Sequence, residues 1–261
     1  DGEEKGEGKG EGNGQSVGRF GGPLLLPAEV PDPAHPFVAS IDLAALAALA
    51  TLPADATDLP LPPDGHLLLF AFPETADDYD TRGSAVYVPA GTPVTERDRN
   101  AWNPFDFEDE EAMFEAFPQG PLRATPGVSL PYHHAVESTG RPGSDPLLGH
   151  PRAEELTQVW ETTQNAISPQ GPLQIGGYAW EEAIHTDPLA TAAYRAGKAA
   201  EAGRRPGPVS ADPSDWVLLA DWQAGMDLEG WESASVHWAI QREDLAARLF
   251  DRTFTSVFWN P

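Results

Sequence analysis

Three short blocks of this sequence occur twice, in the same order, and a chain so organised is constrained to fold as two similar halves. Phe20-Gly21-Gly22-Pro23 is echoed by Ile175-Gly176-Gly177-Tyr178, and Phe37-Val38-Ala39-Ser40-Ile41-Asp42 by Trp216-Val217-Leu218-Leu219-Ala220-Asp221. Leu67-Leu68-Leu69-Phe70-Ala71-Phe72 is echoed by Val236-His237-Trp238-Ala239-Ile240-Gln241. Each half thus reads as a Gly-Gly turn, a hydrophobic strand closed by aspartate, and a second hydrophobic strand. The order holds while the intervals differ, as insertions in surface loops produce. The expectation is an α+β fold of duplicated mixed or antiparallel sheets with peripheral helices. Two pseudo-repeats, about 19–150 and about 151–261, would share one compact domain.

Residues 1–18 alternate glycine with charge and hold one apolar residue, Val17. Such a segment has little to bury and is expected to be a disordered arm. Further along, Phe37 to Ile41, Leu67 to Phe72, Ser84 to Val88, Trp216 to Ala220, Val236 to Ile240 and Phe254 to Trp259 read as strands. Helices are expected at Leu43–Ala50, behind Asp42 as N-cap, at 106–117 and at 152–167. Asp187-Pro188 gives an N-cap followed by proline at the first helical position, so a helix should run from there to about Gly203. Its alanine-rich face, followed by Arg204-Arg205-Pro206-Gly207-Pro208, reads as an exposed excursion. Glu243 to Phe250 is the last predicted helix.

The chain has 261 residues, of which 40% are hydrophobic, with eight Trp and eleven Phe, enough for a substantial core. It has no cysteine, which excludes disulfides, thiolate metal sites and a cysteine nucleophile. No apolar run approaches the roughly 20 residues needed to span a bilayer, so no integral membrane protein is expected. A cytoplasmic protein is the corresponding expectation, and a start at Asp1 in place of Met implies a trimmed N-terminus. The formal charge is −25, from 41 acidic against 16 basic residues. So acidic a chain repels phosphate backbones, which argues against nucleic acid and for a cationic partner, unless the charge only serves solubility.

The repeated blocks also carry a family likeness. With Phe20-Gly21-Gly22-Pro23, Phe37 to Asp42 and Gly65 to Phe72 in the first half, and Gly176-Gly177-Tyr178, Trp216 to Asp221, Trp238 and Asp244-Leu245 in the second, the chain resembles the YwqG-like family of bacterial proteins over roughly residues 19–260. It departs at Ala39-Ser40, where members often carry glutamine, and at Glu229-Gly230-Trp231-Glu232, where they carry a Gly-Asp-rich turn. The resemblance implies a mixed α+β fold with duplicated sheets and brings no established activity or cofactor.

The sequence contains no G-x-S-x-G elbow, Walker A loop or H-E-x-x-H helix. Asp78 to Gly83 begins like a calcium loop but has Arg82 at the fifth position and Pro89 at the twelfth, so it reads as a solvated loop. Glu182 and His185 share helical spacing with metal ligands, yet no second Glu-x-x-His accompanies them. His133-His134 reads as a loop, and His237, within an apolar strand, as a hydrogen-bonded structural histidine. No metal, cofactor or catalytic residue is therefore assigned. Asp42 and Asp221, at the strand ends of the two halves, could form paired carboxylates across an inter-repeat cleft, or simply cap turns. The Gly-Gly turns admit close approach of a ligand. A candidate binding groove would then be flanked by Gly21, Gly22, Gly176 and Gly177 and lined by Asp42, Tyr178, Trp180 and Asp221. The functional expectation is a non-enzymatic, immunity-like binding protein for a basic protein or a small ligand. The alternative is a hydrolase or transferase using the two aspartates.

Overall fold

The computed structural model describes residues 15–49, 59–73, 81–98, 116–130, 153–167, 171–179, 187–226 and 234–259. The repeat is visible in the strand order. The first half builds a sheet from β1 (Gln15–Phe20), β3 (Phe37–Asp42), β4 (His66–Ala71), β5 (Gly83–Val88) and β7 (Gly120–Ala124), ordered β5-β4-β3-β1-β7. The second half builds another from β8 (Leu173–Ile175), β9 (Trp216–Trp222), β10 (Ala234–Gln241) and β11 (Phe254–Trp259), ordered β11-β10-β9-β8. All pairings are antiparallel. Strand for strand, β1 corresponds to β8, β3 to β9, β4 to β10 and β5 to β11.

The hydrogen-bond register makes the correspondence residue by residue. Phe20 lies opposite Ala39, which lies opposite Leu69, which lies opposite Ala85. Ile175, Ala220, Trp238 and Thr255 form the same row in the second sheet. Both sheets also bulge at the equivalent place, with Val38 and Leu219 as the extra residues. Each bulged carbonyl accepts a hydrogen bond from the first glycine of the turn: Gly21 N to Val38 O is 2.9 Å, and Gly176 N to Leu219 O is 3.2 Å. This register confirms the echo of Leu67–Phe72 by Val236–Gln241 and corrects the other strand echo by two residues. Ser40, not Asp42, is the counterpart of Asp221. Two apolar runs that both end in aspartate align easily by eye, but backbone hydrogen bonds, absent from the string, set their register.

Alternation along each strand sends one set of side chains to a core shared by the two sheets. Ala39, Ile41, Leu67, Leu69 and Ala71 meet Val217, Leu219, Trp222, Val236, Trp238 and Ile240 there. The indole N–H of Trp238 donates to the carbonyls of Phe70 and Ser84 in the other sheet, at 3.1 and 3.2 Å. Nearby, Arg82 N donates to Thr255 O and Thr255 N to Thr81 Oγ1, both at 2.9 Å, closing the seam between the β5 and β11 ends.

The outer faces are covered differently. Phe37, Leu68 and Phe70 lie under Leu24 and Leu26 of β2 (Leu24–Leu26), which pairs with β6 (Thr95–Arg97). On the second sheet Trp216, Ala239 and Phe254 lie under α3 (Pro188–Glu201), against its Ala192, Ala193 and Ala196. The helix starts as expected, with Asp187 accepting from Leu189 N at 2.9 Å and proline following. It is no exposed excursion, however: its alanines allow the close approach that a bulkier face would prevent. The loop behind it is also tied down, since Arg205 stacks over Trp216 and Phe254, and Gln241 bonds Pro208 O and Ser210 N.

Other boundaries move slightly. α1 covers Leu43–Ala48, and α4 covers Arg242–Ala246, ending before Arg248 adopts a left-handed φ of 60°. α2 spans Ala153–Ala166 as expected, while the predicted helix at 106–117 lies outside the described residues except at Ala116 and the buried Phe117, which are not helical. The arm expected through residue 18 ends earlier, because Gln15 to Gly18 belong to β1, clamped between β3 and β7 with Val17 buried. Neighbouring strands supply the partners that its own composition lacks.

Candidate functional site

The two Gly-Gly turns are built alike. Gly21, Gly22, Gly176 and Gly177 all have φ between 55° and 81°, a region closed to most side chains. At the first turn the space beside the two α-carbons is taken by Gln119 and Arg19, and Gly22 N donates to Gln119 Oε1 at 3.0 Å. At the second turn the space is taken by Leu59 beside Gly176 and by Ser129 beside Gly177. Gln174, the counterpart of Arg19, donates to Gly176 O and Tyr178 O at 2.7 and 2.8 Å, and Tyr178 N donates to Ser129 Oγ at 2.9 Å. The glycines therefore serve the chain's own packing. Gly177→Ala is expected to cost about 1–2 kcal/mol, from left-handed strain and the displacement of Ser129, read as a lowered urea midpoint. An unchanged midpoint would show that the turn does not need glycine.

The remaining candidate residues part company. Tyr178 presents its ring to solvent, 52% exposed, on this braced turn. Trp180 lies outside the described residues, as do Glu182, His185, His133 and His134. Asp42 caps α1, its carboxylate accepting from Ala45 N at 3.0 Å. Asp221 is buried on the outer face of the second sheet, pointing away from the shared core that holds its neighbours Ala220 and Trp222. The two aspartates are thus not brought together as a carboxylate pair.

Asp221 instead belongs to a polar row that the sequence did not suggest. On β9, β10 and β11 the directly opposed residues are Asp221, His237 and Ser256, all buried. His237 Nδ1 stands 3.4 Å from Asp221 Oδ1, and the ring meets Phe258 edge-on at 5.2 Å. Burial lowers the histidine pKa to about 3, so the ring is neutral at physiological pH. The pairing with Asp221 works in the opposite direction, but at this length and in this burial the cost of desolvating the charged ring dominates. Contrary to the sequence expectation, neither ring nitrogen makes a hydrogen bond among the described residues.

A second buried network surrounds Asp244, which accepts from Gln241 Nε2 and Arg252 Nη1, both at 2.8 Å. It fastens α4 to the end of β10 and to the turn before β11. Among the described residues no group of three or more His, Asp or Glu side chains could hold a metal ion, and no helix is long and apolar enough to cross a membrane.

Residues 18–257 match the family model of a domain of unknown function, DUF1963. The chain belongs to that family. The match begins inside β1 and ends inside β11, so the DUF1963 domain takes in both repeats and the core between them. No curated protein matches the chain.

Proposed function

We propose that this DUF1963 domain is a cytoplasmic, non-enzymatic binding protein of YwqG-like type that takes a basic protein partner at the second Gly-Gly turn. The observation that carries this reading is the exposed Tyr178 ring on a turn whose backbone is held by Gln174 and Ser129. A rigid aromatic face on a molecule of charge −25 suits arginine or lysine side chains, through cation–π contact and long-range attraction. The neighbouring strand supports the same surface. In the first sheet Gly18 and Phe20 of β1 pair onward with β7. Their counterparts on β8 are Leu173 and Ile175, and among the described residues β8 pairs only with β9. The alternative of a hydrolase with paired Asp42 and Asp221 finds no support in where those side chains lie.

Titration with an oligo-arginine peptide at physiological salt tests the reading. Tyr178→Ala should weaken binding about fivefold, the worth of roughly 1 kcal/mol of cation–π contact, with Tm nearly unchanged. Tyr194→Ala, equally exposed on α3, is the control and should leave affinity unaltered. Equal weakening in both variants would reduce the effect to general charge attraction. A large loss of Tm in Tyr178→Ala would mark the ring as structural.

A further inference from the structure

The polar row on the second sheet stands where the fold itself has no need of one. The same three places in the first sheet hold Ser40, Leu68 and Val86, of which Leu68 packs with Leu24, Leu26 and Phe70. The second sheet has Asp221, His237 and Ser256 there instead, with exposures of 2%, 0% and 1%. Among the described residues His237 Nδ1, His237 Nε2 and Ser256 Oγ have no hydrogen-bond partner. Polar groups left dry in an interior are costly, and native proteins meet the cost with a partner or with an internal water.

The chemistry of the row fixes which partner is missing. A neutral imidazole has one N–H donor and one acceptor nitrogen. Nδ1 stands 3.4 Å from Asp221 Oδ1 without making a hydrogen bond, yet a carboxylate so near favours the tautomer with the proton on Nδ1, which leaves Nε2 as an acceptor. Ser256, directly across on β11, has a hydroxyl that both donates and accepts. A single molecule placed between them must donate to Nε2, and the serine hydroxyl can meet it by donating its proton. Asp221, His237 and Ser256 are each at most 2% exposed, so whatever meets these atoms must fit inside the protein, and water is the smallest molecule that both donates and accepts.

We propose that His237 Nε2 and Ser256 Oγ hold one internal water molecule, forming a buried hydration site beside the Asp221–His237 pair that the first repeat lacks. The water donates to the ring nitrogen, accepts the serine proton, and lies within the buried row on the outer face of the second sheet.

A high-resolution crystal structure, backed by water-to-protein NMR cross-relaxation at neutral pH, tests this. The expected result is one fully occupied water about 3 Å from both atoms, with a long-lived signal to the His237 ring protons. Ser256→Val, which places the first repeat's residue in the row, should abolish the signal. Ser256→Ala covers the case of a valine that does not fit, and there the water should lose its serine contact and exchange faster. A wild-type row with no water, or with Nε2 bonded directly to a protein group, would overturn the proposal. So would a signal that neither variant changes.

Discussion

Trp238→Ala is expected to unfold both repeats in a single transition, with Tm lowered by roughly 10–20 °C. Emptying a buried tryptophan site costs about 3–5 kcal/mol, and the lost indole bonds add roughly 1 kcal/mol each. That is a large share of the 5–15 kcal/mol typical of a whole domain. The effect should spread because Trp238 sits in the second sheet yet bonds Phe70 O and Ser84 O in the first. Trp238→Phe keeps most of the ring volume and should lose only about 1–3 kcal/mol. Calorimetry checks both: two separate transitions in the alanine variant would show that the halves do not share a core.

Acid should destabilise the protein through His237. Its folded pKa of about 3 lies below the ordinary histidine value of 6.5, so the unfolded chain binds the proton more readily. The neutral ring's contribution is therefore complete above about pH 6.5 and is lost progressively as pH falls toward 3. Between pH 7.5 and pH 4.5 the wild type should lose roughly 3 kcal/mol more than His237→Gln, measured by urea unfolding. The comparison between variants matters, because protonating carboxylates on a chain of charge −25 relieves repulsion in both. His35 acts in the same direction. Burial first, and the Arg82 charge second, lower its pKa to about 4, so some acid sensitivity should persist in the variant. Parallel pH profiles would show that His237 is not held neutral.

The sequence disclosed the duplicated sheets because Gly-Gly turns and apolar runs are local signals that survive in one dimension. It placed β4 and β10 in correct register, since Leu67–Phe72 and Val236–Gln241 are continuous runs of equal length. It missed β7, where Gly120-Pro121 breaks any alternation and only the edge position makes proline tolerable. It misjudged α3, because an alanine face looks the same whether it meets water or a tightly packed sheet. The candidate site was legible only in part. The turns and the exposed Tyr178 came from the sequence. Asp221, His237 and Ser256 lie on three strands and become neighbours only through antiparallel pairing, so no spacing rule could have joined them.

The seam at Thr81 and Thr255 bears on how the chain is made. Those partners stand 174 positions apart, and Trp238 reaches Phe70 across 168. A ribosome therefore releases the first sheet long before the strands that cover its inner face exist. Ile41, Leu67 and Leu69 must wait uncovered until β9, β10 and β11 have emerged. Contacts so distant in sequence also slow folding after release. The nascent protein is thus most prone to aggregate, and most dependent on chaperones, in the interval before β9, β10 and β11 appear.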